Sequence, residues 1–264
     1  MNENAKWIVA AAAALLVGAC AVQTTMPSAE QKLALAPTGK LRVAFLANNA
    51  AQATKDPVSG ELKGPAVDLG RQLAVRLDVP FEAVPYRTVA EMVASAPNGE
   101  WDVISLGINP DREKLIDFAA PYSQTESGYL VKGSAISTMA DVDRPGIRIA
   151  VLERGDSDIF LTKSLKHAQL IRTKSVAEAV ELLKSGSADV HANIKTFLIP
   201  LAGQVPTGRL LEGYWQIQPI ALGVPKGKEA GARYVRQAVD ELKAQGFVRQ
   251  SIERAAVPGL MPAP

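Results

Sequence analysis

The sequence predicts an α/β fold of two lobes facing one cleft. Apolar runs of strand length alternate with amphipathic segments of helix length, the pattern of parallel βαβ units. The alternation runs once through residues 41–106 and restarts over residues 147–192. Hydrophobic residues make up 47% of the 264 and charged residues 21%, a composition suited to a soluble globular chain with room for both units.

The first strand is LRVAFL, residues 41–46. It runs into Asn48 and Asn49, whose amides either serve a ligand at the strand's carboxyl end or form a plain turn. A helix follows over residues 64–77, with Val67, Leu69, Leu73, Ala74 and Leu77 on one face. The next strand spans residues 81–84, and Tyr86 at its end either packs on a ligand or belongs to the core or rim. A short helix over residues 89–94 is closed by Pro97, Asn98 and Gly99.

The third strand opens the stretch WDVISLGINPDREKLIDFAAPY, residues 101–122. Its uncharged run from Val103 to Ile108 meets the turn residues Asn109 and Pro110, and Arg112 follows at once. A guanidinium just past the carboxyl end of a buried strand is well placed to hold a carboxylate in an open α/β sheet.

An extended segment over residues 127–131 leads into the second unit. A short helix is predicted over residues 137–142 and a strand over residues 147–152. Gly155, Asp156 and Ser157 then open a helix whose first turn offers free N–H groups to an anion or is simply capped. Strands over residues 169–172 and 188–192 flank a helix over residues 175–184. A long extended run over residues 217–224 returns the chain, and helices over residues 228–244 and 247–256 close it. Lobe 1 is thus expected over residues 39–125 and 218–258, lobe 2 over residues 126–217, and a frayed tail over residues 259–264.

The first residues read as an export signal. Lys6 precedes an apolar core of roughly a dozen residues, short for a membrane span and right for a signal peptide. A signal peptide over residues 1–21 and a flexible, Pro-punctuated tether over residues 22–38 are expected, which places the protein in the periplasm. Cys20 is the single cysteine, so no intramolecular disulfide can form. Val17-Gly18-Ala19-Cys20 resembles a lipoprotein box with Cys20 lipidated, while cleavage after Ala21 would discard that cysteine.

A net charge of +2 and 5% aromatics argue against a nucleic-acid partner. With one cysteine and only His167 and His191, no metal is expected. No nucleophile elbow, phosphate loop or dinucleotide motif is present, so no cofactor is expected and binding groups are easier to find than catalytic ones.

LRVAFL, then GPAVDLGRQLAVRLDV, then WDVISLGINPDREKLIDFAAPY, with ALGVPKG before a long helix, together resemble the extracellular solute-binding proteins of family 3. The resemblance spans residues 41–256. It implies the type II periplasmic binding protein fold, two lobes with a hinge and an interlobe cleft, in a monomer that serves the membrane subunits of an ABC importer of amino-acid type. It implies that Arg112 holds the ligand's carboxylate, that Ser105, Leu106 and Gly107 form the strand end beside it, and that Gly155, Asp156 and Ser157 meet the same carboxylate from the second lobe.

Three departures stand out. No acid follows Asp189 until Glu212, and Asn193 stands near the place where amino-acid binders carry an aspartate for the ammonium group. Asp156 replaces a Ser or Thr, and the loop from Gly107 to Arg112 is short. The ligand is therefore open among amino acids and related small carboxylates. The expected role is binding rather than catalysis. The alternatives are a cyclohexadienyl or arogenate dehydratase-like enzyme, with Glu126 or Glu153 as its acid or base, and a sensory or partner-presenting binding protein.

Overall fold

The computed structural model describes residues 26–264 apart from Asn48 and Pro57. The expected signal peptide, Cys20 and the donor role of Asn48 lie outside the described residues. In chain order the first elements are α1 (Ala29–Leu35), β1 (Leu41–Leu46), the small hairpin β2 (Thr54–Lys55) and β3 (Leu62–Lys63), and α2 (Pro65–Leu77). β4 (Phe81–Tyr86), α3 (Val89–Ala94), β5 (Val103–Gly107) and β6 (Ile116–Phe118) complete the first unit. The long strand β7 (Ser123–Lys132) leads to β8 (Arg148–Leu152), α4 (Asp156–Ser164), β9 (Gln169–Thr173), α5 (Val176–Ser185) and β10 (Val190–Ile194). Then come α6 (Lys195–Ala202), β11 (Gly208–Leu210), β12 (Gln216–Pro225), α7 (Glu229–Ala244), α8 (Phe247–Ala255) and β13 (Leu260–Pro262).

The main sheet runs in the order β4-β1-β5-β12-β7-β10-β8-β9. β4, β1 and β5 are parallel, and so are β9, β8 and β10. β7 and β12 cross between these two parallel blocks. They pair with each other from Ser123↔Ile220 to Ser127↔Gln216. Beyond that shared segment β12 pairs with β5 and β7 pairs with β10, so each strand has one half in each lobe. Two antiparallel strands shared in this way form the hinge.

Each lobe fastens its central strand in the same manner. The Arg42 backbone and guanidinium donate to Asp102, and Arg42 Nη1 also donates to the Gly99 carbonyl at 2.7 Å. Arg148 does the same to Asp189, with Nη2 also donating to the Gly186 carbonyl at 2.7 Å. Gly99 and Gly186 both have positive φ, 65° and 78°, which only glycine adopts freely, and this brings each turn's carbonyl to the guanidinium.

Four segments differ from expectation. The tether expected to residue 38 folds from Ala29 onward. Ser28 and Gln31 form a reciprocal capping box, and Leu35 is buried against α7, where a Cβ at Gly231 would come within 2.9 Å of it. The tail expected to fray instead pairs as β13 with β7 from Leu260↔Thr125 to Pro262↔Ser123, covering an edge of the hinge strand. Residues 137–142 yield only a single turn of 3₁₀ helix, at Met139–Asp141. α6, in a segment with no predicted element, starts directly from the last residue of β10.

Candidate functional site

A cleft of about 520 Å³ lies between the lobes. It is lined by the carboxyl ends of strands from both parallel blocks, Leu106 and Gly107 of β5 and Ala192 to Ile194 of β10, together with Gln218 and Ile220 of the hinge strand β12. Open α/β sheets bind ligands at such strand ends because the turns there carry free backbone groups and adaptable side chains. The second lobe also presents the starts of α4, α5 and α6, whose N-cap residues Gly155, Ser175 and Ile194 all line the cleft. Three positive dipole ends favour negative charge in the space they enclose. The lining side chains carry one positive charge more than negative. Arg87, Arg154 and Lys174 are cationic, while the acids are Glu153 and Asp156.

Asp156 is not a free acid. Its Oδ2 accepts from Arg112 Nη1 at 3.1 Å, and its Oδ1 accepts from Asn109 Nδ2 at 2.9 Å. Arg112 Nη1 also donates to the Gly107 carbonyl at 2.7 Å. Asn109 is fixed in turn, because its Oδ1 accepts from the backbone N–H groups of Asp111 and Arg112. The Arg112 side chain is only 5% exposed. Arg112, expected to face the ligand, lies behind the lining and is occupied by a carboxylate of the opposite lobe.

The sequence-predicted residues separate into two groups. Asn49, Leu106, Gly107, Gly155, Asp156, Ser157 and Asn193 line the cleft. Ser105 does not: it is fully buried, further back from the strand end than Leu106 and Gly107. Its Oγ lies 2.8 Å from Tyr122 Oη inside the core, where burial pushes the phenol up to about 12. Tyr86 is also elsewhere: its hydroxyl donates to Glu100 and accepts from Ser95. Glu126, one acid weighed for an enzymatic cleft, lies outside the lining and is ion-paired with Lys195, whereas Glu153 is an exposed lining residue. Among the described residues, no three His, Cys, Asp or Glu side chains gather as a metal site.

Gln218 is the main group that sequence reasoning missed. It is 2% exposed, its Nε2 donates to the Ile108 and Pro219 carbonyls, and its buried Oε1 has no hydrogen-bond partner among the described residues. A buried amide oxygen left so costs about 1–3 kcal/mol, and the residue that carries it lines the cleft. A Cβ at Gly107 would come within 2.6 Å of Gln218 Nε2, so the glycine is what admits the amide. Arg87 and Lys174 were missed as well, although each follows a strand and precedes a capped helix, in Tyr86-Arg87-Thr88 and Thr173-Lys174-Ser175.

His191 lies under Asn193. Its Nδ1 is 3.0 Å from the Ala150 carbonyl and its Nε2 is 3.5 Å from Asn193 Nδ2. Burial holds the imidazole below its ordinary range, which keeps it neutral, and a neutral ring with Nδ1–H donating leaves Nε2 to accept from Asn193. The Asn193 side-chain oxygen accepts from the Ile194 N–H, so this amide is held from both sides.

Known proteins share this architecture. The solute receptor for L-cysteine of Neisseria gonorrhoeae superposes with a TM-score of 0.74 at 23% identity, over 86% of this chain and 94% of that one. An ancestral amino acid-binding protein, a precursor of cyclohexadienyl dehydratase, gives 0.73 at 24% identity, over 86% of this chain and 99% of that one. In sequence, the ABC transporter glutamine-binding protein GlnH of Bacillus subtilis is 26% identical over 73% of this chain and 72% of its own length. A probable amino-acid ABC transporter-binding protein of Haemophilus influenzae is 27% identical over 91% of this chain and 94% of its own. Residues 41–255 match a family across the whole two-lobe body, and the chain belongs to the bacterial extracellular solute-binding proteins, family 3.

Proposed function

We propose that this protein is the substrate-binding component of an ABC importer and captures a small polar carboxylate, an amino acid or a related acid, in the interlobe cleft. The observation that carries this reading is the charge of the cleft, where Arg87, Arg154 and Lys174 meet three helix N-termini against Glu153, while the other lining acid, Asp156, is already paired. Gln218 is a further polar residue of the lining. The amino-acid binding named for the relatives agrees with a ligand of this size and charge. Asn49, Leu106, Gly107, Gly155, Ser157 and Asn193 are the further contacts.

The chain's first residues fit that role. Residues 1–21 act as a signal peptide, and the protein works in the periplasm as a monomer. Cys20 is either lipidated as an anchor or removed by cleavage after Ala21. No helix among the described residues is long and apolar enough to cross a membrane.

Thermal denaturation tests the reading against a panel of L-glutamine, L-arginine, L-cysteine, succinate and lactate. At least one should raise Tm, and that solute should be recovered unchanged. A shift of about 2–4 °C per kcal/mol of binding is the scale expected for a chain of this size. A panel without any shift, or conversion of the solute, speaks against it.

A further inference from the structure

Arg112 is expected to grip a solute carboxylate, yet it holds one that belongs to the chain. The Asp156 side chain receives the same kind of two-point grip that a bound carboxylate would: Arg112 Nη1 on one oxygen and Asn109 Nδ2 on the other. The three groups come from opposite sides of the cleft, Asn109 and Arg112 following β5 of the first lobe and Asp156 opening α4 of the second. Each is aligned by its own lobe. Asn109 is fixed by two backbone N–H groups and Arg112 by the Gly107 carbonyl, while the positive end of α4 favours an acid at its first position. The ion pair is largely dry, its side chains being 5% and 22% exposed.

We propose that Asp156 is a built-in substitute for the solute's carboxylate at Arg112. It latches the two lobes together before a solute arrives. It also leaves the solute's own anionic group to Arg87, Arg154, Lys174 and the helix starts at Gly155 and Ser175. A solute carboxylate that entered at Arg112 would strand the Asp156 carboxylate in the same cleft, so carboxylates are kept away from this guanidinium. The second half of this inference rests on the solute-binding reading above; the latch itself does not.

The experiment uses three variants of the mature chain, Asp156→Ser, Arg112→Gln and the double variant, each checked for native far-UV circular dichroism. Small-angle scattering without added solute reads the latch. The wild-type profile should match the closed two-lobe shape, and each variant should show a larger radius of gyration. Equal radii in all four proteins overturn the latch, whatever the protein binds.

Calorimetry with L-glutamine and succinate then reads the displaced site. Asp156→Ser exposes a guanidinium and should gain at least tenfold in affinity for one of them over wild type. The double variant should lose that gain. If Arg112→Gln alone abolishes a wild-type affinity that Asp156→Ser leaves unchanged, Arg112 contacts the solute and the substitution idea is wrong. A wild type that binds neither probe counts against the solute reading, while the scattering still decides the latch.

Discussion

In the first lobe Arg42 on β1 grips Asp102 just before β5; in the second, Arg148 on β8 grips Asp189 just before β10. The registers correspond as well. Ala44 stands beside Ile104 in one sheet and Ala150 beside His191 in the other. The same frame is filled differently. Ile104 packs into a core with Met92 and Trp101, while His191 hydrogen-bonds its strand neighbour and steadies Asn193 at the cleft. The first lobe also receives α1, α7 and α8 from the two ends of the chain, and Leu35, Val235, Val239, Leu242, Val248 and Ile252 extend its core. The second lobe has smaller clusters, but three of its helices begin at the cleft. The first lobe is thus the better-packed body, and the second contributes more of the polar surface that meets a solute.

Removing each clamp should separate the lobes most sharply. Asp102 is fully buried, and Lys228 Nζ lies 3.4 Å from it in addition to Arg42. Asp102→Ala should cost about 3–5 kcal/mol, because it leaves a mostly buried guanidinium unpaired. The Arg148 and Asp189 side chains are 37% and 32% exposed, so water screens them, and Asp189→Ala should cost only about 1 kcal/mol. Urea unfolding of the two variants checks the order, and equal losses would break the comparison.

Leu35→Ala comes next. It should destabilise the protein by about 2–4 kcal/mol if α1 is part of the first lobe's core, and by nothing measurable if residues 29–35 were a tether. Hydrogen exchange should show the loss over α7, where Leu35 packs against Gly231.

The smallest effect is a pH dependence confined to the second lobe. Both histidines of the chain, His167 and His191, lie between β7 and β12. Burial lowers the folded-state pKa of His191, so the unfolded chain binds the proton more readily. Its contribution is therefore fully present above about pH 6.5 and is lost as pH falls below that value toward the folded pKa. Local opening of β10 measured by hydrogen exchange should rise between about pH 7 and 5.5, and the rise should flatten in His191→Gln. An equal rise in β5 would remove the distinction between the lobes.

Much of this was legible in the sequence, for physical reasons that also mark the limits. LRVAFL and GIRIAVL read as strands because their apolar runs are short and bounded by turn residues, and the helices of 65–77 and 176–185 announce themselves by one apolar face. Of the cleft residues, Gly155 follows from the turn after a strand, whereas Gly107 and Asn193 were reached only through the family resemblance. Ser105 was expected beside Leu106 and Gly107 by resemblance, and since every residue of β5 is buried the sequence offers no sign of which of them line the cleft. α1 and β13 look like linkers in a Pro-punctuated context, and tertiary packing decides them, although Ser28 and Gln31 already had capping-box spacing. The Arg112–Asp156 pair could not be read at all. It joins residues of different lobes, 44 positions apart, and only the closed arrangement brings the two charges together.

That the cleft holds a small carboxylate is tested most directly by mass spectrometry of what the natively purified protein releases on denaturation. The expected result is a single small carboxylate, chemically unchanged, that is absent from an Arg87→Ala/Lys174→Ala variant. A solute without an acidic group, or a carboxylate retained equally by that variant, would contradict it.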